Sequence, residues 1–199
     1  MKIAIIKYNA GNIRSVSFAL DRLGVEHNIT AHPEEIKNAD KVIFPGVGEA
    51  SSTMRYLKDN KLDQLIVNLK QPVLGICLGM QLMCSHSEEG DVPCLGIFDE
   101  PVKKFVLPYP NTKNIKVPHM GWNTITAVNS QLFDASLEGE YVYFVHSYYV
   151  ARGRHTAATT PYILPFSSAL HKDNFYATQF HPEKSGDAGS RIVENFIKL

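Results

Sequence analysis

The sequence predicts an α/β fold: an open, mostly parallel twisted sheet with helices on both faces, continued in the C-terminal half by an antiparallel β extension. Three observations predict it. Short β-rich runs alternate with helix-period stretches in the first half, β-formers and turn residues dominate residues 102–180, and a helical stripe closes the chain. At 199 residues and 44% hydrophobic content, one core and a single domain over residues 1–199 are expected.

Residues 2–8 read as a buried strand. From Ile13, apolar residues at Val16, Ala19, Leu20 and Leu23 mark one helix face, which Gly24 stops. A second strand is expected over 25–30 and a third over 41–44. Leu62, Leu65, Ile66 and Leu69 stripe another helix, and residues 72–76 form a fourth strand. In the second half, residues 141–150 are the strongest strand. The turn Lys172-Asp173-Asn174 joins β-like runs at 167–171 and 175–180 into a hairpin. Ile192, Val193, Phe196 and Ile197 line the last helix.

Twenty basic residues balance twenty acidic ones, so no net field recruits nucleic acid or a membrane surface. No stretch approaches the roughly 18 apolar residues of a membrane span, and the N-terminal apolar run is too short for a signal peptide. The three cysteines show no metal-type pairing, so no metal or other cofactor is expected. Free thiols suit a reducing compartment, the cytoplasm.

Gln71-Pro72-Val73-Leu74-Gly75-Ile76-Cys77-Leu78-Gly79-Met80-Gln81 carries the most information. An apolar strand runs into G-x-C-x-G and then a helix at 80–84. A nucleophile on such a turn projects clear of the sheet, and the small residues two places either side avoid clashes. The adjoining helix N-terminus favours thiolate over thiol. The N–H of Leu78 is placed to stabilise an oxyanion. Cys84 and Cys94 lack this context and read as small core or surface residues.

A cysteine nucleophile needs a base, and His181 sits at a strand end within His181-Pro182-Glu183. Pro182 fixes the backbone between the two side chains, so that Glu183 can set the imidazole tautomer. His146, in Phe144-Val145-His146-Ser147-Tyr148, is the competing base. Pro45-Gly46-Val47-Gly48 follows the third strand. Its glycines let the backbone turn N–H groups toward developing negative charge, although an ordinary loop fits as well. It lacks the full pattern of a nucleotide-binding loop.

These segments resemble class I, triad-type glutamine amidotransferases. More narrowly, Tyr8-Asn9-Ala10-Gly11-Asn12, Pro118-His119-Met120-Gly121-Trp122-Asn123 and Phe144-Val145-His146-Ser147-Tyr148 are similar to the glutaminase subunits of imidazole glycerol phosphate synthases. The resemblance covers essentially the whole chain and implies a flavodoxin-like sheet. It implies that Cys77 attacks glutamine with His181 and Glu183 completing a triad, and that Leu78, Val47 and Gly48 form the oxyanion hole. It also implies glutamine contacts from Gly48, Gln81, Glu89, Ser147 and Tyr148. Ammonia would pass to a (βα)₈-barrel cyclase subunit, which meets Trp122, Asn123, Tyr143 and Lys184 in a heterodimer. Lys7 departs from the acidic residue common in the family, which bears on the interface rather than the chemistry. A lone Trp is more often a core anchor, so Trp122 carries both readings.

Three other functions compete: a cysteine peptidase on a similar elbow, an ammonia donor to a different acceptor such as a surface-sugar amidation enzyme, and a non-catalytic module. The Gln81 position, the H-P-E spacing and the intact Cys77, His181 and Glu183 favour glutamine chemistry over the first and last.

Overall fold

The computed structural model describes residues 1–8, 11–107 and 115–199. Asn9 and Ala10 of the N-terminal motif lie outside the described residues. The first half runs β1 (Ile3–Ile6), α1 (Ile13–Arg22), β2 (His27–Thr30), α2 (Pro33–Lys37), β3 (Lys41–Phe44), α3 (Ala50–Asp59), α4 (Leu62–Val67), β4 (Val73–Ile76) and α5 (Leu78–Met83). The second half contributes β5 (His86–Ser87), β6 (Val92–Pro93), β7 (Val102–Lys104), β8 (His119–Thr124), β9 (Tyr141–His146), β10 (Tyr148–Val150), β11 (Thr156–Pro161), β12 (Pro165–Lys172), β13 (Phe175–Thr178) and α6 (Gly186–Lys198).

Strands β1, β3, β4 and β13 are buried at every residue, as central strands covered on both faces must be. They pair in parallel in the order β2-β1-β3-β4-β13. Side chains alternate between the two faces. Ile3, Ile5, Ile43, Leu74 and Ile76 pack with Val16 and Leu20 of α1 and with Val193 and Phe196 of α6. Ala4, Ile6, Val42, Phe44 and Val73 pack against Met54, Leu57, Leu62 and Ile66 of α3 and α4. Each fully buried aliphatic chain is worth about 1.5–3 kcal/mol. Helices therefore cover both faces, as expected. Gly24, at φ 67, ends α1 by donating its N–H to Asp21 O at 3.0 Å.

Beyond β13 the sheet turns antiparallel through β12, β10 and β7, with β11 on β12. A second core, built on Phe105, Phe144, Phe166 and Phe180, lies beneath this half. The β12–β13 hairpin turns at Asp173 with φ 54, where the sequence places it.

Residues 141–150 form two strands rather than one. β9 pairs with β8 in a separate two-stranded ribbon, while β10 joins the large sheet. The break has a local cause: His146 Nδ1 donates to Tyr148 O at 2.7 Å, folding the chain around Ser147. Helices α2 and α3 are also additional to the sequence expectation. α3 starts at Glu49, whose carboxylate accepts from the N–H groups of Ser51 and Ser52. Among the described residues no helix is long and apolar enough to cross a membrane, and no cluster of His, Cys, Asp or Glu could hold a metal ion.

The parallel strands matter for placement. The chain runs from β1 to β2 on one side and then crosses back over β1 to β3 on the other, which opens a crevice at the carboxyl ends of β1 and β3. The segments leaving β1, β3, β4 and β13 carry Asn12, Gly46–Gly48, Cys77 and His181 to that edge.

Candidate active site

Cys77 occupies the turn between β4 and α5 at φ 54, ψ −106, a conformation rarely tolerated outside glycine. Surrounding contacts hold it there. Its N–H donates to Thr178 O at 2.8 Å, and its carbonyl accepts the Gln81 N–H at 3.2 Å. The flanking glycines are sterically required. A Cβ on Gly79 would lie 1.9 Å from Phe44 O, and one on Gly75 would lie 2.8 Å from Met83 Sδ. The Cys77 Sγ lies 3.9 Å from Val145 O and 3.7 Å from Gln179 Nε2.

His181 is fully buried, its N–H donating to Tyr143 O at 2.9 Å. A single helical turn at Pro182–Lys184 folds Glu183 back beneath it. Nδ1 donates to Glu183 Oε1 at 2.7 Å, and because a carboxylate only accepts, this bond fixes the tautomer. Nε2 is left for Cys77. It makes no well-formed hydrogen bond among the described residues, although the thiol is close enough to act on the ring's protonation. Burial alone would depress the His181 pKa. Hydrogen bonding and charge from Cys77 and Glu183 outweigh it and raise the pKa to about 10. The ring is thus built to hold a proton beside the Cys77 sulfur.

His146 cannot serve as the base. Its Nδ1 is spent on Tyr148 O, and its Nε2 lies 3.0 Å from His119 Nδ1. Burial pushes it down to about 3. Of the other thiols, Cys84 is fully buried and Cys94 partly so. Burial lifts Cys84 well above its ordinary range and Cys94 to about 11. Neither is poised to react.

A cavity of about 300 Å³ opens over Cys77. Its walls include Val47, Gly48, Leu78, Gln81, Glu89, Ser147 and Tyr148, so every residue expected to touch glutamine or an oxyanion lines it. Glu89 is held by the first turn of α3, accepting the Ala50 N–H at 2.9 Å. Burial raises its carboxyl, the Ala50 bond opposes this, and the Glu49 charge adds to the rise. Gln81 is partly committed elsewhere, its Nε2 donating to Tyr148 O at 3.0 Å and Gln179 Oε1 at 2.9 Å.

The oxyanion expectation needs one correction. The Leu78 N–H is not free toward the cavity: it donates to Gly46 O at 3.3 Å. The loop bearing that carbonyl is pinned at its start by the Tyr8 hydroxyl, which donates to Pro45 O. A Cβ on Gly46 would meet the same hydroxyl at 2.2 Å. Gly48 lies at φ 138, which only glycine adopts readily.

A family profile described as glutamine amidotransferase class-I matches residues 4–199. The chain belongs to the class I glutamine amidotransferase family. It is 65% identical over 199 residues to the imidazole glycerol phosphate synthase subunit HisH of Bacteroides fragilis strain YCH46, covering 100% of both chains. It is 45% identical to the protein of that name from Haemophilus influenzae strain Rd, covering 100% of this chain and 98% of the other. A crystal structure described as glutamine amidotransferase superimposes with a TM-score of 0.73 at 18% identity, covering 98% of this chain and 97% of that one.

In this amidotransferase the β8–β9 ribbon carries three of the four residues expected to meet a partner, Trp122, Asn123 and Tyr143. Trp122 is 55% exposed, which overturns the core-anchor reading, and its ring packs edge-on to Tyr143 with centroids 6.0 Å apart. Met120 and Tyr141 are exposed on the same ribbon. Lys184 is exposed directly after Glu183. Asn123 departs from the group. Strand alternation turns it to the opposite face, where Nδ2 donates to Pro161 O at 2.8 Å. Lys7 is exposed.

Sequence reasoning assigned no site role to Asn12 and Gln179. Asn12 Nδ2 donates to Glu183 Oε1, the oxygen that also receives His181. Gln179 touches Cys77 directly. Their signals were present, an Asn at a helix start and a Gln two residues before His181, but nothing local distinguishes either from a structural polar residue.

Proposed function

We propose that this chain is the glutaminase subunit of imidazole glycerol phosphate synthase, one amidotransferase domain over residues 1–199. Cys77 attacks the carboxamide carbon of glutamine, His181 protonates the departing ammonia, and water then hydrolyses the glutamyl thioester with His181 as base. Glu183 holds the imidazole and balances its charge. Leu78 and the Val47–Gly48 peptide donate to the oxyanion once the Leu78 N–H is released from Gly46. Glu89 takes the substrate's α-ammonium group, while Gly48, Gln81, Ser147 and Tyr148 complete the cavity.

One observation carries the reading. The cavity that exposes Cys77 also contains a half-buried carboxylate, Glu89, on the wall beside Gly48. This arrangement suits a small amino acid bearing an amide. The similarity to the two HisH proteins supports the acceptor. Ammonia passes to a (βα)₈-barrel cyclase subunit bound on the Trp122, Tyr143 and Lys184 face. That subunit makes imidazole glycerol phosphate and aminoimidazole-carboxamide ribonucleotide in histidine biosynthesis. Three free thiols favour the cytoplasm as the compartment.

Complementation tests the proposal. The gene should restore growth without histidine to a strain lacking its own glutaminase subunit but supplied with the cognate cyclase, and Cys77→Ala should not. Growth failure with wild-type protein that still releases ammonia from glutamine would redirect the ammonia to another acceptor.

A further inference from the structure

Gln179 is fully buried, and the glutaminase mechanism above gives it no task. Its side chain is nevertheless held in one orientation by a chain of hydrogen bonds. The Tyr148 carbonyl can only accept, so the group of Gln81 that faces it at 3.0 Å must be the amide N–H. The same Gln81 nitrogen lies 2.9 Å from Gln179, so the Gln179 atom facing it must be the carbonyl oxygen. The Gln179 NH₂ group is then left pointing at Cys77, with Nε2 3.7 Å from Sγ. The Val145 carbonyl also lies 3.9 Å from the sulfur, an acceptor that suits the thiol but repels the thiolate.

We propose that Gln179 is a further catalytic residue, whose side-chain N–H donates to Cys77 Sγ and holds it as the thiolate. The inference rests on the reading of Cys77 as nucleophile. A neutral donor gains strength when its acceptor carries charge, and more so in a site screened from water. The Gln179 bond therefore favours the charged sulfur over the neutral one. Gln81 and the Tyr148 carbonyl act one step removed as positioning groups that keep the donor end inward.

The pH dependence of Cys77 alkylation by iodoacetamide, read by mass spectrometry on the Cys77 peptide of the full chain, tests this directly. Gln179→Met keeps the volume and removes the donor, but leaves Gln81 short of an acceptor. The pair Gln81→Met with Gln179→Met removes both partners together, which costs least in stability. The Tyr148 carbonyl keeps the His146 bond in that variant. In both variants the alkylation midpoint should move up by about one pH unit. Glutamine turnover by Gln179→Met should fall about tenfold near neutral pH and recover as the pH is raised. A midpoint unchanged or lowered in the double variant overturns the proposal. Ammonia release surviving in Cys77→Ala would instead overturn the underlying assignment, so the two failures are distinguishable.

Discussion

The Leu78 N–H donates to the Gly46 carbonyl at 3.3 Å, so the group best placed to meet an oxyanion at Cys77 is already engaged. Rotation of the Gly46–Val47 peptide would release it, and the glycines on either side of Val47 lower the barrier. The isolated chain should therefore hydrolyse glutamine slowly. Binding the cyclase with its ligand should raise kcat by about 10²–10³, the scale of a restored oxyanion donor. Equal turnover with and without the partner would contradict this.

Asn12 and His181 both donate to the same oxygen of Glu183, while Glu183 Oε2 has no partner among the described residues. Removing Asn12 loosens a buried carboxylate that already lacks one hydrogen bond. Asn12→Ala should lower kcat about tenfold with little change in KM. Glu183→Gln, which disturbs the tautomer itself, should cost about 10²–10⁴. Steady-state kinetics on the cyclase complex reads both, and a wild-type kcat in Asn12→Ala would count against the role.

Two pH windows follow from the histidines. Burial lowers His119 to about 4 and His146, chiefly through burial, to about 3. The unfolded chain takes up protons at these residues near pH 6.5 while the folded chain does not, so stability should fall as the pH drops from about 6.5 toward 4. Urea midpoints across that range should show the loss, with a shallower slope in His119→Gln. His181 behaves oppositely. Its raised pKa contributes stability in full below about 6.5, and that contribution disappears as the pH rises through about 10. An acid slope unaltered in His119→Gln would remove His119 as a cause of it.

The ribbon face supplies a comparison between neighbours. Trp122 is exposed, whereas Asn123 is bonded to Pro161 O on the other side. Trp122→Ala should weaken cyclase binding by more than tenfold, about 1.4 kcal/mol or more, and leave Tm unchanged. Asn123→Ala should lower Tm first. Calorimetric titration and thermal melts separate the two, and the reverse pattern would move the interface elsewhere.

The parallel half of the fold was legible because buried strands and helix stripes declare themselves locally: Lys41–Phe44 forms as its apolar run implies, and Val16, Ala19 and Leu20 face inward. α3 was not read, although Ala50, Thr53, Met54 and Leu57 face inward, because its start is capped by Glu49 rather than by one of the usual capping residues. The split at Ser147 was not readable, since it depends on one side chain bonding to the backbone two residues on. Within the site, the elbow and the H-P-E turn stood out because their backbone demands are unusual. The Leu78–Gly46 bond and the Gln179 contact join segments distant in sequence, and no local pattern encodes such pairs.

The central claim is covalent, and acid quenching tests it most directly. Wild-type complex mixed with glutamine and quenched within one turnover should yield a glutamyl adduct on the peptide bearing Cys77, absent in Cys77→Ala. An adduct on another residue, or undiminished ammonia release by Cys77→Ala, would contradict the account.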